Sequence, residues 1–170
     1  MNLLNLYFTP FATLLVIIAI YFSDPDKSTK ISAFAILGVS LLVNHWFSKN
    51  TYRFVGWAGR LKHIQIWLTY AWSALLFYLL FPYWAPMWLL LSMPAVTAAL
   101  FQTRLQTALT GLISGGTVIG VYYLRWRGND IPAQLWAQAA VHAGFIPVLA
   151  LFVHALAQTA LKMRDIRARL

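Results

Sequence analysis

Residues 135–170 read LWAQAAVHAGFIPVLALFVHALAQTALKMRDIRARL. From Leu135 to Ala160 there is no Asp, Glu, Lys or Arg, and then Lys162, Arg164, Arg167 and Arg169 follow in quick succession. At about 1.5 Å of rise per residue, a helix over the uncharged run outreaches the roughly 30 Å hydrocarbon core of a bilayer. A long apolar run closed by a cluster of bases is the pattern of a membrane-crossing helix that ends at the cytosolic face. The rest of the chain repeats that pattern.

Working outward, five further apolar segments lie near 3–22, 31–48, 64–81, 86–102 and 106–124, the third and fourth of the six only just long enough to cross. Threading alternate gaps to opposite faces puts Lys49, Arg53, Arg60, Lys62, Arg104, Lys162, Arg164, Arg167 and Arg169 on one side. The other side receives Lys27, Lys30, Arg125 and Arg127, together with Asp24, Asp26 and Asp130. Nine bases against four predict that both termini are cytosolic. The expected fold is an all-α integral membrane protein with six transmembrane helices. Residues 1–160 form the six-helix bundle, and 161–170 form a short basic cytosolic extension of the last helix. The N-terminus lacks a basic lead and a small-residue cleavage site, so the first segment reads as a retained helix.

Composition agrees. With 61% apolar and 10% charged residues, a soluble fold of 170 residues cannot hide this much apolar surface. The net charge of +9 sits mostly on the cytosolic side, where anionic headgroups account for it without nucleic acid. The absence of Cys excludes disulfides and thiol chemistry.

Between the helices, Asp24-Pro25-Asp26-Lys27-Ser28 reads as an outer turn with Ser28 or Thr29 capping the second helix. The gap from Lys49 to His63 mixes Tyr52, Phe54 and Trp57 with bases, the make-up of a segment lying on the inner leaflet. Pro82-Tyr83-Trp84-Ala85-Pro86 is a tight outer turn, and Arg125 to Asp130 is the other outer loop. Pro94 and Pro147 fall inside the fourth and sixth helices, where each frees a carbonyl and can kink the helix, although proline is ordinary in membrane helices and the plain structural reading is favoured.

No Asp, Glu, Lys or Arg lies well inside any span, and no phosphate loop, nucleophile elbow or metal-binding His-Glu pattern occurs. Catalytic activity is therefore not expected, nor is a metal site. His142 and His154 share the sixth helix about 18 Å apart by helical rise. Two haems would need a matched pair on another helix, whereas His45 and His63 sit on different segments, so no cofactor is expected. These two and His154 are expected near the headgroups, and His142 inside the bundle.

Two polar stripes stand out. Gln134, Gln138 and His142 recur at every fourth residue on the outer half of the sixth helix. Gln65, Thr69 and Ser73 do the same on the third helix, with Tyr70, Trp67 and Trp72 nearby. Polar side chains in lipid need partners, which turns both stripes toward the interior. There they either bond helix to helix or line a pocket for a small amphiphilic ligand carrying a hydroxyl or carbonyl. Gly111, Gly115, Gly116 and Gly120 give the fifth helix overlapping small-residue pairs for close packing, internally or in a dimer. From the end of the last span onward, Leu156, Thr159, Met163, Ile166 and Leu170 follow a/d spacing with the bases outside it. The run is too short to define a coiled coil, and a solvated basic anchor fits it equally.

Trp88, Thr103-Arg104, the Gly-rich fifth span, Trp136, Pro147 and the basic exit from Lys162 to Arg169 carry a likeness by spacing and residue type. Across roughly half its length the chain resembles the six-helix membrane input modules of bacterial signalling proteins. Nearest are the histidine kinases that detect α-hydroxyketone autoinducers, and the sensor modules of some diguanylate cyclases are similar. The resemblance implies an inner-membrane sensory module for a small amphiphilic signal, acting as a homodimer or through a separate signalling partner. A small transporter, channel or substrate-binding subunit is the rival expectation. An accessory subunit that works through helix contacts is the third.

Overall fold

The computed structural model describes residues 2–50, 58–127 and 132–167. The Tyr52–Trp57 part of the expected inner-leaflet segment, Gly128–Asp130 of the outer loop and the last residues of the exit helix lie outside the described residues. The elements in order are α1 (Asn2–Ser23), α2 (Lys27–Asn50), α3 (Ala58–Leu80), a 3₁₀ segment (Ala85–Leu91), α4 (Ser92–Phe101), α5 (Arg104–Arg125) and α6 (Ala133–Arg167). All regular structure among the described residues is helical. Four stretches are long and apolar enough to cross a membrane: Lys27–Phe47, Arg60–Leu80, Arg104–Arg125 and Ala133–Arg164. Pro10–Ser23 and Ala85–Phe101 are shorter apolar stretches. Large apolar side chains point outward along these helices, Leu42 being 72% exposed and Val148 66%. Lipid tails are the solvent in which such surfaces carry no hydrophobic cost, so length, composition and exposure together describe a membrane protein.

The chain divides into two compact units, Met1–Met93 and Pro94–Leu170. In the first, α2 packs on α3, and α3 on the 3₁₀ segment, with Ile66, Phe77, Leu80, Met87 and Leu91 buried. The α1–α2 turn is built by its acids. Asp24 takes a left-handed conformation, φ 41°, which Asp tolerates better than most residues, and its N–H still reaches the Ile20 carbonyl at 3.2 Å. Asp26, not Ser28 or Thr29, caps α2. Its Oδ2 accepts the Thr29 N–H at 3.0 Å and its Oδ1 accepts the Thr29 hydroxyl at 2.6 Å. Lys30 pairs with Asp24.

The same Asp26 Oδ1 accepts the Tyr83 hydroxyl at 2.8 Å, and Phe22 stacks on Trp84 with ring centroids 6.3 Å apart. These contacts join the α1–α2 turn to the turn after α3. Their three hydroxyl and amide donors hold the Asp26 carboxyl down at about 2, against an ordinary 3.8. The Thr29 hydroxyl contributes most, then Tyr83 and the Thr29 N–H.

The fourth apolar segment is not one α-helix. Pro86 removes a donor at its start, and Pro94 cannot supply the N–H that an α-helical Leu90 carbonyl would accept. The Ser92 N–H reaches the Leu89 and Leu90 carbonyls, the Ser92 hydroxyl donates to the Leu89 carbonyl at 2.6 Å, and Ala85–Leu91 winds as a 3₁₀ helix. At about 2.0 Å per residue against about 1.5 Å, the tighter helix lengthens a short segment toward bilayer thickness. Pro147, by contrast, leaves α6 unbroken from Ala133 to Arg167.

In the second unit, Thr103 opens α5 with a capping box. Its hydroxyl accepts the Gln106 N–H at 3.4 Å while the Gln106 side chain accepts the Thr103 N–H at 3.3 Å. The C-terminal carbonyls of α4 are covered from the neighbouring helices. Ala98 O accepts the Thr107 hydroxyl at 3.4 Å as well as the Gln102 N–H at 2.8 Å. Ala99 O accepts from His154 Nδ1 at 2.9 Å. A carbonyl only accepts, so Nδ1 of His154 carries hydrogen.

Candidate functional site: the α5–α6 seam

In the second unit α5 packs extensively along α6, and the glycines of α5 divide by face. A Cβ at Gly111 would lie 2.8 Å from Pro147 Cα. One at Gly115 would lie 3.2 Å from the Ala143 carbonyl carbon and closer still to its oxygen, inside the 3.0 Å that real Cβ atoms keep. At Gly116 and Gly120 an added Cβ meets nothing within 4 Å. Two of the four glycines therefore serve the seam, and two face open space. The carbonyl over Gly115 is the one that Pro147, four residues on and lacking an N–H, cannot bond in the α-helical manner. Proline and glycine thus act as a pair: one strips a carbonyl, the other lets a neighbouring backbone cover it.

The buried face of α5 carries a polar line, Thr107, Thr110, Ser114 and Tyr122. Thr110 donates to the Gln106 carbonyl at 2.9 Å and meets the Gln102 side chain at 3.4 Å. Ser114 is fully buried, and its hydroxyl has no hydrogen-bond partner. Tyr122 is buried at the far end, its hydroxyl 3.5 Å from His142 Nδ1 and the rings 6.5 Å apart. With the hydrogen of His142 on Nε2, Tyr122 donates and Nδ1 accepts.

Of the α6 stripe, His142 is half-buried at the seam while Gln134 and Gln138 lie on exposed surface. Gln138 and Gln158 are separated by about 30 Å of helical rise, one hydrocarbon thickness. His142 and His154 lie one turn inside these two exposed glutamines along the helix. On α3, Gln65, Thr69 and Tyr70 are half-buried and Ser73 is buried. The Thr69 hydroxyl bonds its own helix at the Gln65 carbonyl, 2.8 Å, and Trp67 meets Tyr70 edge-on at 5.6 Å. Trp72 beside them has a buried indole N–H without a partner. The α3 stripe belongs to the first unit and the α6 stripe to the second.

Tyr122, Ser114 and His154 were not among the expected site residues. The spacing Thr103, Thr107, Thr110, Ser114 is itself a helical stripe and marks the polar face of α5. Nothing local signals the partners of Tyr122 or His154. Comparison with protein-family models, curated proteins and solved structures finds no match to the chain.

Proposed function

We propose that the chain is a six-span inner-membrane sensory module that binds a small amphiphilic ligand against the α5–α6 seam and relays occupancy through α6. The observation that carries this reading is the continuity of α6. It holds 35 residues, about 52 Å by rise, so one rigid element joins the Tyr122–His142 pair to Lys162 and Arg164 well beyond a bilayer's hydrocarbon. A ligand with unequal affinity for two packings of α5 on α6 shifts the position of the whole rod, and only such a difference moves the equilibrium. The nine-to-four distribution of bases supports cytosolic termini, and with them an inner-membrane location. The exposed Met163 at the start of the exit supports contact with a second copy.

Single cysteines in native membranes test the relay surface, against a background free of native Cys. Met163→Cys and Ile166→Cys should crosslink between protomers far more than Arg164→Cys and Arg167→Cys, because a/d positions face a partner helix. Uniformly weak crosslinking along the exit removes the relay and favours a transport or accessory subunit.

A further inference from the structure

The fourth apolar run, Ala85–Phe101, is one continuous helical stretch that changes winding in its middle. Its first half, the 3₁₀ segment Ala85–Leu91, is seated in the first unit, where α3 and α1 pack on it and Met87, Leu90 and Leu91 are buried. Its second half, α4, is fastened in the second unit. Thr107 of α5 donates to the Ala98 carbonyl at 3.4 Å, and His154 of α6 donates to the Ala99 carbonyl at 2.9 Å. Ala95, Ala98 and Ala99 are buried there too. The two compact units meet in sequence between Met93 and Pro94, so that peptide bond is the one covalent link between them. Boundaries of this kind ordinarily fall in exposed linkers, and this one falls inside a helix.

Three weaknesses coincide at that link. The winding passes from 3₁₀ to α between Leu91 and Ser92, and seven residues is long for a 3₁₀ run, whose hydrogen bonds are the poorer kind. The Ser92 hydroxyl donates back to the Leu89 carbonyl at 2.6 Å, a bond of the type that bends helices. Pro94 has no N–H, so one rung of the ladder is missing in either winding. On both sides of the joint the run is held by its own unit.

We infer that Ser92–Pro94 is a hinge inside the fourth span, about which the two units swing as separate rigid bodies. The ten residues of α4 make a lever of about 15 Å, and a change of about 20° at a proline joint moves its far end by about 5 Å. The hinge requires no ligand, so its failure leaves the sensor reading standing, and the reverse holds as well.

Pulsed electron spin resonance on the full chain in nanodiscs tests it, with paired cysteines at exposed positions and unlabelled protein added to dilute signals between copies. Val39→Cys with Leu75→Cys reports within the first unit, Leu112→Cys with Val148→Cys within the second, and Val39→Cys with Val148→Cys between the two. The between-unit distance distribution should be broader than either within-unit one by about 5 Å. Pro94→Ala, which returns the missing N–H, should narrow it to the within-unit breadth. A between-unit distribution as narrow as the other two in the wild-type chain overturns the hinge, and that comparison needs no variant at the joint. Breadth that persists in folded Pro94→Ala overturns it as well, because the freedom then lies elsewhere.

Discussion

Adding one methyl group at either of two adjacent glycines should have unequal effects, stabilising at Gly116 and not at Gly115. At Gly116 nothing lies within 4 Å of the new carbon, so Gly116→Ala gains only the helix propensity of alanine, about 1 kcal/mol. At Gly115 the same carbon falls inside 3.0 Å of the Ala143 carbonyl, a backbone group that no rotamer change can move aside. The helices must part by something approaching 1 Å to restore an ordinary C···O distance of about 3.3–3.6 Å. Overpacking of this kind costs about 1–3 kcal/mol, which outweighs the propensity gain or cancels it. The two variants have identical compositions, so their difference isolates the seam contact. The propensity gain is common to both, so the gap is about 1–3 kcal/mol, which for a chain of this size corresponds to roughly 2–12 °C in Tm. Thermal unfolding in one detergent, followed by circular dichroism, reads it directly. Gly115→Ala melting with or above Gly116→Ala refutes the α5–α6 packing.

Two more effects follow from named hydrogen bonds. The Asp26 carboxyl is held at about 2 rather than 3.8, so its contribution to the folded state is present above about pH 4 and is lost as pH falls through about 2. Tyr83→Phe or Thr29→Val should raise the titration midpoint in ¹³C-carboxyl NMR, and a wild-type midpoint already near 3.8 contradicts the turn geometry. His154→Leu strips the side-chain donor from the buried Ala99 carbonyl and should cost about 1–3 kcal/mol of stability, whereas the exposed His45→Leu should be close to neutral. Equal losses at 45 and 154 would count against the α4–α6 link.

The helical, membrane-type fold was legible because charge is confined to the gaps and to the end of the last run. What escaped depends on register. Asp26, Ser28 and Thr29 are all capping residues, and only the left-handed turn at Asp24 decides which of them stands at the helix start. The 3₁₀ segment is hidden in an unbroken apolar run, since Pro86 and Pro94 act on carbonyls rather than on hydropathy. Gly111, Gly115, Gly116 and Gly120 read alike in sequence, and only the packing of α6 sets the first two apart. The Ala143 carbonyl is predictable as stripped from Pro147 alone, but not that Gly115 covers it. His154 and Ala99 are 55 residues apart, a distance over which no periodicity speaks.

A cysteine scan along α6 with a membrane-impermeant maleimide, in right-side-out and inverted vesicles, tests the central claim most directly. One rod crossing to the cytosol predicts labelling from outside near Gln134 and protection over about twenty residues between Gln138 and Gln158. Labelling should then resume, from the inner face only, at Lys162 and Arg164. Reactivity that breaks in at Pro147, or an Arg164 site labelled from outside, would contradict a continuous relay helix with a cytosolic end.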